Sequence, residues 1–215
     1  RDAAGGASID AVSAHARTDK SRLSTALTTS LLTRLCVPFV CINRSTDADK
    51  RIVEEMVRYK RQFEAVRDSN EHELGSFWLR KTGKAVLAVL LTRKPDGTYT
   101  YWRGMNVEVS MPTGTLCAER NAIGNALAAD QSIGRGDMLA VAVLSVTLDP
   151  DHDAASHHGN TKTDLGQIAM NPLDPCGACM EWLKKISEVN PDFKVLTFTS
   201  TSCEKVFITP IGDYG

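Results

Sequence analysis

Two short runs hold the residues with most chemistry to offer: Cys117-Ala118-Glu119-Arg120 and Pro175-Cys176-Gly177-Ala178-Cys179. Together they supply three thiolates and one carboxylate. Zinc takes Cys sulfur tetrahedrally, and a catalytic zinc site keeps one of its four positions for water. Thiolates from Cys117, Cys176 and Cys179 with one position left open make that arrangement, so Zn2+ is the expected cofactor. Glu119 follows the first Cys by two residues, which lets it face the bound water as a proton shuttle without binding the metal. A C-x-x-C pair alone is also the pattern of a structural zinc half-site or a redox couple. Here Pro175 precedes it as a helix opener, a C-A-E run lies upstream, and each run begins an apolar-periodic segment that reads as a helix.

The elements that must position these residues follow from pattern. Thr46 or Asp47 can cap a helix reaching about Ser69, whose apolar stripe is Ile52, Met56, Tyr59, Phe63 and Val66. Ala85 to Leu91 is a continuous apolar run of strand length. Pro95-Asp96-Gly97 signals a hairpin turn, and Thr98 to Met105 alternates as the return strand. Cys117 to Ala129 reads as a helix, Met138 to Val146 as a third strand, and Cys176 to Val189 as a helix stopped by Asn190-Pro191. Lys194 to Thr199 and Lys205 to Thr209 are two last strands. That order predicts a layered α/β domain with helices covering a five-stranded sheet. Only Ser200 to Glu204 joins the final strands, too few residues for a parallel crossover, so they should run antiparallel.

Upstream, residues 1–46 are expected as an N-terminal extension, with a short helix over 21–35; residues 47–215 are the expected catalytic domain. A polar segment at about 149–172, containing His157 and His158, reads as a solvated insertion into that domain. The chain opens on Arg1, as a processed product or an excised domain would. Residues 20–46 contain no acidic side chain, which resembles an organelle transit segment; packing of an extra helix on the domain is the other reading, and a cytoplasmic location is expected with an organelle as the alternative.

Composition narrows the partners. Lys and Arg number 25 against 26 Asp and Glu, a net charge of −1. A protein that grips a polynucleotide usually shows a basic excess, so no nucleic-acid partner is expected. No run of about 18 apolar residues exists, so no membrane partner is expected either. Of the six Cys, the motifs use three; Cys36, Cys41 and Cys203 are expected as buried free thiols.

The motifs resemble the cytidine deaminase superfamily, and within it the free-nucleoside branch that acts on cytidine and deoxycytidine. The resemblance spans about residues 85 to 209 and is strongest at 104–127 and 172–184. It implies a three-layer α-β-α fold with a five-stranded mixed sheet. Nucleoside enzymes of the family place Cys in the first ligand position, as Cys117 stands here, whereas relatives acting on RNA, DNA or deoxycytidylate usually place His there. The antiparallel last strand also matches the nucleoside branch. Gly104-Met105-Asn106-Val107-Glu108 looks like the family's N-x-E element, which implies that Asn106 and Glu108 hold the ribose hydroxyls. The resemblance further implies hydrolytic deamination with Glu119 as acid and base in turn, a pyrimidine carbonyl held by the backbone N–H of Ala118, and a homo-oligomer, dimer or tetramer. Arg120 has a physical role of its own. Three thiolates around Zn2+ leave about one net negative charge, and a guanidinium beside the sulfurs offsets it.

The pocket wall departs from the family pattern. The nucleoside enzymes usually carry Phe and V-G-A-A ahead of the first strand, where this chain has Lys84-Ala85-Val86-Leu87-Ala88. Ser110 to Thr115 lacks the aromatic residue often found before the first ligand. Two other readings therefore stand beside deamination of cytidine: deamination of a modified nucleoside, an aminonucleoside antibiotic or a nucleotide, or a zinc-folded binding domain of a larger protein.

Overall fold

The computed structural model describes residues 46–69, 72–111, 114–148 and 171–214. The expected helix over 21–35, the acid-poor segment, Cys36, Cys41 and nearly all of the polar insertion with His157 and His158 lie outside those residues.

The first helix, α1, runs Asp47–Asp68. Thr46 starts it with a capping box: the Thr46 hydroxyl accepts from Asp49 N at 3.2 Å, and Asp49 Oδ2 accepts from Thr46 N at 2.9 Å. Two otherwise orphaned donors are satisfied reciprocally, and Asp47 and Asp49 face the positive end of the helix dipole. Ile52, Met56 and Phe63 of the expected stripe are buried, but Val66 is 49% exposed and Arg67 is buried instead. The stripe repeats every 3.5 residues and the helix every 3.6, so the apolar row slides about 20° per seven residues and leaves the core by the last turn. Arg67 uses the vacated side to donate to Thr147 O at 3.1 Å.

After a π-helical turn at Leu74–Trp78 come β1 (Lys84–Arg93) and β2 (Tyr99–Met105). The Pro95-Asp96-Gly97 turn between them closes with Gly97 N donating to Lys94 O at 2.8 Å. Gly97 has φ 89°, a conformation a side chain would strain. Then follow α2 (Ala118–Ala129), β3 (Met138–Thr147), α3 (Gly177–Ser187), β4 (Lys194–Phe198) and β5 (Val206–Pro210). The strands form one sheet in the order β2-β1-β3-β4-β5. Only β3 and β4 run parallel, with α3 in the crossover; β1 pairs antiparallel with both β2 and β3, and β4 pairs antiparallel with β5, as the short connection requires.

Alternation along β1 divides the core into two. Leu87, Val89 and Leu91 pack with Ile52, Met56 and Phe63 of α1, while Ala88 and Leu90 pack with Ala122, Ile123 and Ala126 of α2 and Leu183 and Ile186 of α3. The sheet is thus the middle of three layers, with α2 and α3, the helices that open at the thiol motifs, side by side on one face. This is the expected α-β-α arrangement. Among the described residues no helix is long and apolar enough to cross a membrane.

Candidate metal and catalytic site

Cys117 is the N-cap of α2 and Cys176 the N-cap of α3, both with extended backbone, so each thiol stands at the positive end of a helix. Cys179 lies one turn into α3 and is fully buried. The three sulfurs lie within 4.8 Å of one another, and Cys117 Sγ and Cys176 Sγ are 3.5 Å apart. Tetrahedral Zn–S bonds of about 2.3 Å put sulfurs roughly 3.8 Å apart, so the donor set fits a thiophilic divalent ion. Glu119, in the first turn of α2, is buried beside Cys179.

Burial pushes the Cys117 thiol up, and burial together with the neighbouring Glu119 and Cys117 charges pushes Cys179 much further up. At Cys176 burial acts the same way, but the backbone N–H groups of Cys179 and Ala178 and the neighbouring thiols outweigh it, so its pKa falls. Burial also raises the Glu119 carboxyl, against the smaller opposing pull of its own backbone N–H, Cys179 and Arg120. Three thiols and a carboxylate, with Cys179 and Glu119 buried, Cys117 half-buried and Cys176 exposed, repel one another when charged, and a cation among them relieves that repulsion, which is the electrostatic reason this cluster suits a metal.

Arg120 comes three residues after Cys117 and reaches back to it. Its Nη2 donates to Cys117 Sγ at 3.7 Å and to Thr115 O at 3.3 Å.

Asn106 and Glu108 form a second group. An antiparallel bridge joins Val107 to Leu116, with N–H···O distances of 2.9 and 3.0 Å, and its register sets Asn106 across from Cys117. The Asn106 side chain has a job of its own: Oδ1 accepts from Val86 N at 2.8 Å, and Nδ2 donates to Lys84 O at 3.2 Å and to Glu108 Oε1 at 3.3 Å. The carboxamide continues the ladder where β2 ends and orients Glu108. Ala118 is the first residue of α2, so its N–H has no acceptor within the helix.

Other residues that hold the site together escaped the sequence reading. Asn121 and Asn125, one turn apart on α2, donate to Met105 O and Arg103 O, each at 2.8 Å, and fasten α2 to edge strand β2. From the opposite face Arg103 Nε donates to Glu55 Oε1 of α1 at 2.8 Å. Asn171 does for the second motif what Asn106 does for the first: it accepts from Ser145 N at 3.0 Å and donates to Ser145 O at 2.8 Å, anchoring the approach to Cys176 on the end of β3. Two Asn at i and i+4 on one helix face was the available signal for the first pair.

The fold is a mixed five-stranded sheet between helices, with thiols at the starts of two helices on one face. The chain belongs to the LmjF365940 subfamily of CDD/CDA-like deaminases, whose family model matches residues 48–166 and 153–212. It is therefore a member of the deaminase superfamily, of cytidine deaminase type. Similar solved structures include cytidine deaminase from Burkholderia pseudomallei, 25% identical, covering 70% of this chain and 93% of that one with a TM-score of 0.45. Cytidine deaminase from Mycobacterium leprae is 19% identical and covers 76% of this chain and 94% of that one, TM-score 0.40; that from Mycobacterium tuberculosis is 20% identical and covers 65% and 82%, TM-score 0.38. No curated protein matches the sequence.

Proposed function

We propose that the chain is a zinc-dependent hydrolase that converts cytidine or deoxycytidine to the uridine compound and ammonia. Family membership supports the reaction type. The observation that carries the metal is the gathering of Cys117, Cys176 and Cys179 sulfurs within 4.8 Å, next to the buried Glu119. These thiolates would hold Zn2+, which when bound supplies a water acidic enough to ionise near neutral pH. The catalytic unit in this reading is residues 47–215, and its partner is a free nucleoside.

The chain's own residues then have separable tasks. Glu119 takes one proton from the attacking water and delivers it to the ring nitrogen, then takes the second proton of that same oxygen and passes it to the amine, which leaves as ammonia as the carbonyl forms; one carboxyl serves as base and then acid, twice over. Its burial keeps bulk water from competing for that proton. The Ala118 N–H holds the pyrimidine carbonyl oxygen. Glu108 accepts from the sugar hydroxyls, and Asn106 fixes Glu108 while offering its remaining acceptor capacity to the sugar. Arg120 offsets the excess negative charge of three thiolates. A homo-oligomer is part of this reading.

Ammonia release from cytidine, deoxycytidine, free cytosine and the corresponding nucleotides, compared between the wild type and Glu119→Gln, tests the assignment. Release from the nucleosides that Glu119→Gln abolishes supports it. Release from nucleotides alone would shift the substrate class, and no release from a zinc-loaded chain would overturn it.

A further inference from the structure

The contact with Cys117 leaves part of Arg120 unaccounted for. Its Nε is buried and has no hydrogen-bond acceptor among the described residues. A buried cationic donor without a partner is costly. The group set against this guanidinium is an indole: Arg120 Cζ lies 5.9 Å from the centroid of the Trp182 ring, within the roughly 6 Å reach of a cation–π contact. Trp182 stands three residues after Cys179 on α3, and Arg120 three residues after Cys117 on α2. The pair therefore spans the two helices that carry the two halves of the thiol cluster. Trp182 is 42% exposed, so its ring is not a core anchor. It also borders the apolar groove beside Ile123 and Ile186, and a purely structural role there is the rival explanation.

We propose that Trp182 is a positioning residue: its ring holds the Arg120 guanidinium against the Cys117 sulfur and preorganises the two-helix thiol set for a thiophilic divalent cation. The proposal rests on the reading that Cys117, Cys176 and Cys179 hold such a cation.

Competition for Zn2+ between a chromophoric chelator and the whole chain tests it, using wild type, Trp182→Leu, Trp182→Phe, Arg120→Met and the double variant Arg120→Met/Trp182→Leu. Trp182→Leu should weaken zinc binding about two- to five-fold, the range of an exposed cation–π contact, and Trp182→Phe should retain most of the wild-type affinity. Arg120→Met should cost about ten-fold or more, and adding Trp182→Leu to it should cost nothing further. With Co2+ in place of Zn2+, the thiolate-to-metal charge-transfer band should shift in the same direction in Trp182→Leu and Arg120→Met and stay in place in Trp182→Phe. Zinc binding by Trp182→Leu equal to wild type, or an equal loss in the Arg120→Met background, would overturn the positioning role while leaving the metal site intact. A folded wild type that takes up no zinc would overturn both.

Discussion

Gly104 and Ala122 meet backbone to backbone: a Cβ on Gly104 would stand 2.3 Å from Ala122 N and 2.3 Å from Ala118 O. No side chain fits there, and the close approach sets the height of α2 on β2, and with it the places of Cys117 and Glu119. Both obstacles are helix backbone, which cannot rotate aside. Gly104→Ala should therefore destabilise the fold by about 3 kcal/mol, the upper end for overpacking. A thermal melt checks this, and a melting temperature equal to wild type would contradict the close approach.

Much of this arrangement was legible because local and tertiary signals agreed. The Thr46 cap, the Pro95-Asp96-Gly97 turn and the unbroken apolar run of β1 each mean the same thing locally as in the fold. The thiol motifs were legible because Cys117 and Cys176 are themselves helix N-caps, so chemistry and local structure share residues. Elements settled by packing were not. The turn at Leu74–Trp78 carries no period, and its Phe77 and Trp78 are partly exposed although apolar. The partners of Asn106 and Asn171 depend on which strand ends lie beside them, which no local pattern states. Trp182 sits in an apolar-periodic helix, so the sequence gives no sign that its ring faces a guanidinium.

Glu119→Gln keeps the volume of the side chain and removes its capacity to take up and release a proton. Turnover should fall by about 10²–10⁴-fold or more, since in the proposed mechanism this carboxyl serves several proton transfers. Zinc content and the melting temperature should stay near wild type. Near-normal turnover in the zinc-loaded variant would assign the shuttle to another residue.

Asn106 and Glu108 should separate by readout. Asn106→Ala leaves Val86 N–H and Lys84 O without their partner and should cost about 1–3 kcal/mol of stability for each buried group left unpaired. Glu108→Ala touches no backbone pairing and should instead lower kcat/KM for cytidine by about ten- to 150-fold, the worth of a hydrogen bond to a charged group. Free cytosine, which has no sugar, should be a poor substrate for the wild type and barely affected by Glu108→Ala. Equal losses with cytosine and cytidine would remove Glu108 from the sugar.

Asn171→Ala should loosen the approach to Cys176 without altering any donor atom. We expect lower stability, by about 1–3 kcal/mol, and weaker zinc retention against a chelator, with the Glu119 chemistry intact once zinc is saturating. Unchanged zinc retention would show that α3 holds Cys176 and Cys179 in place unaided.

We propose that a three-thiolate zinc site deaminates a cytosine nucleoside. The most direct test measures zinc content and ammonia release from cytidine and deoxycytidine on the same preparation, before chelation, after it, and after zinc is restored. One zinc per chain is expected, with ammonia and the uridine compound formed in equal amounts, lost on chelation and recovered with zinc. A folded, zinc-loaded chain that releases no ammonia from either nucleoside would contradict the proposal.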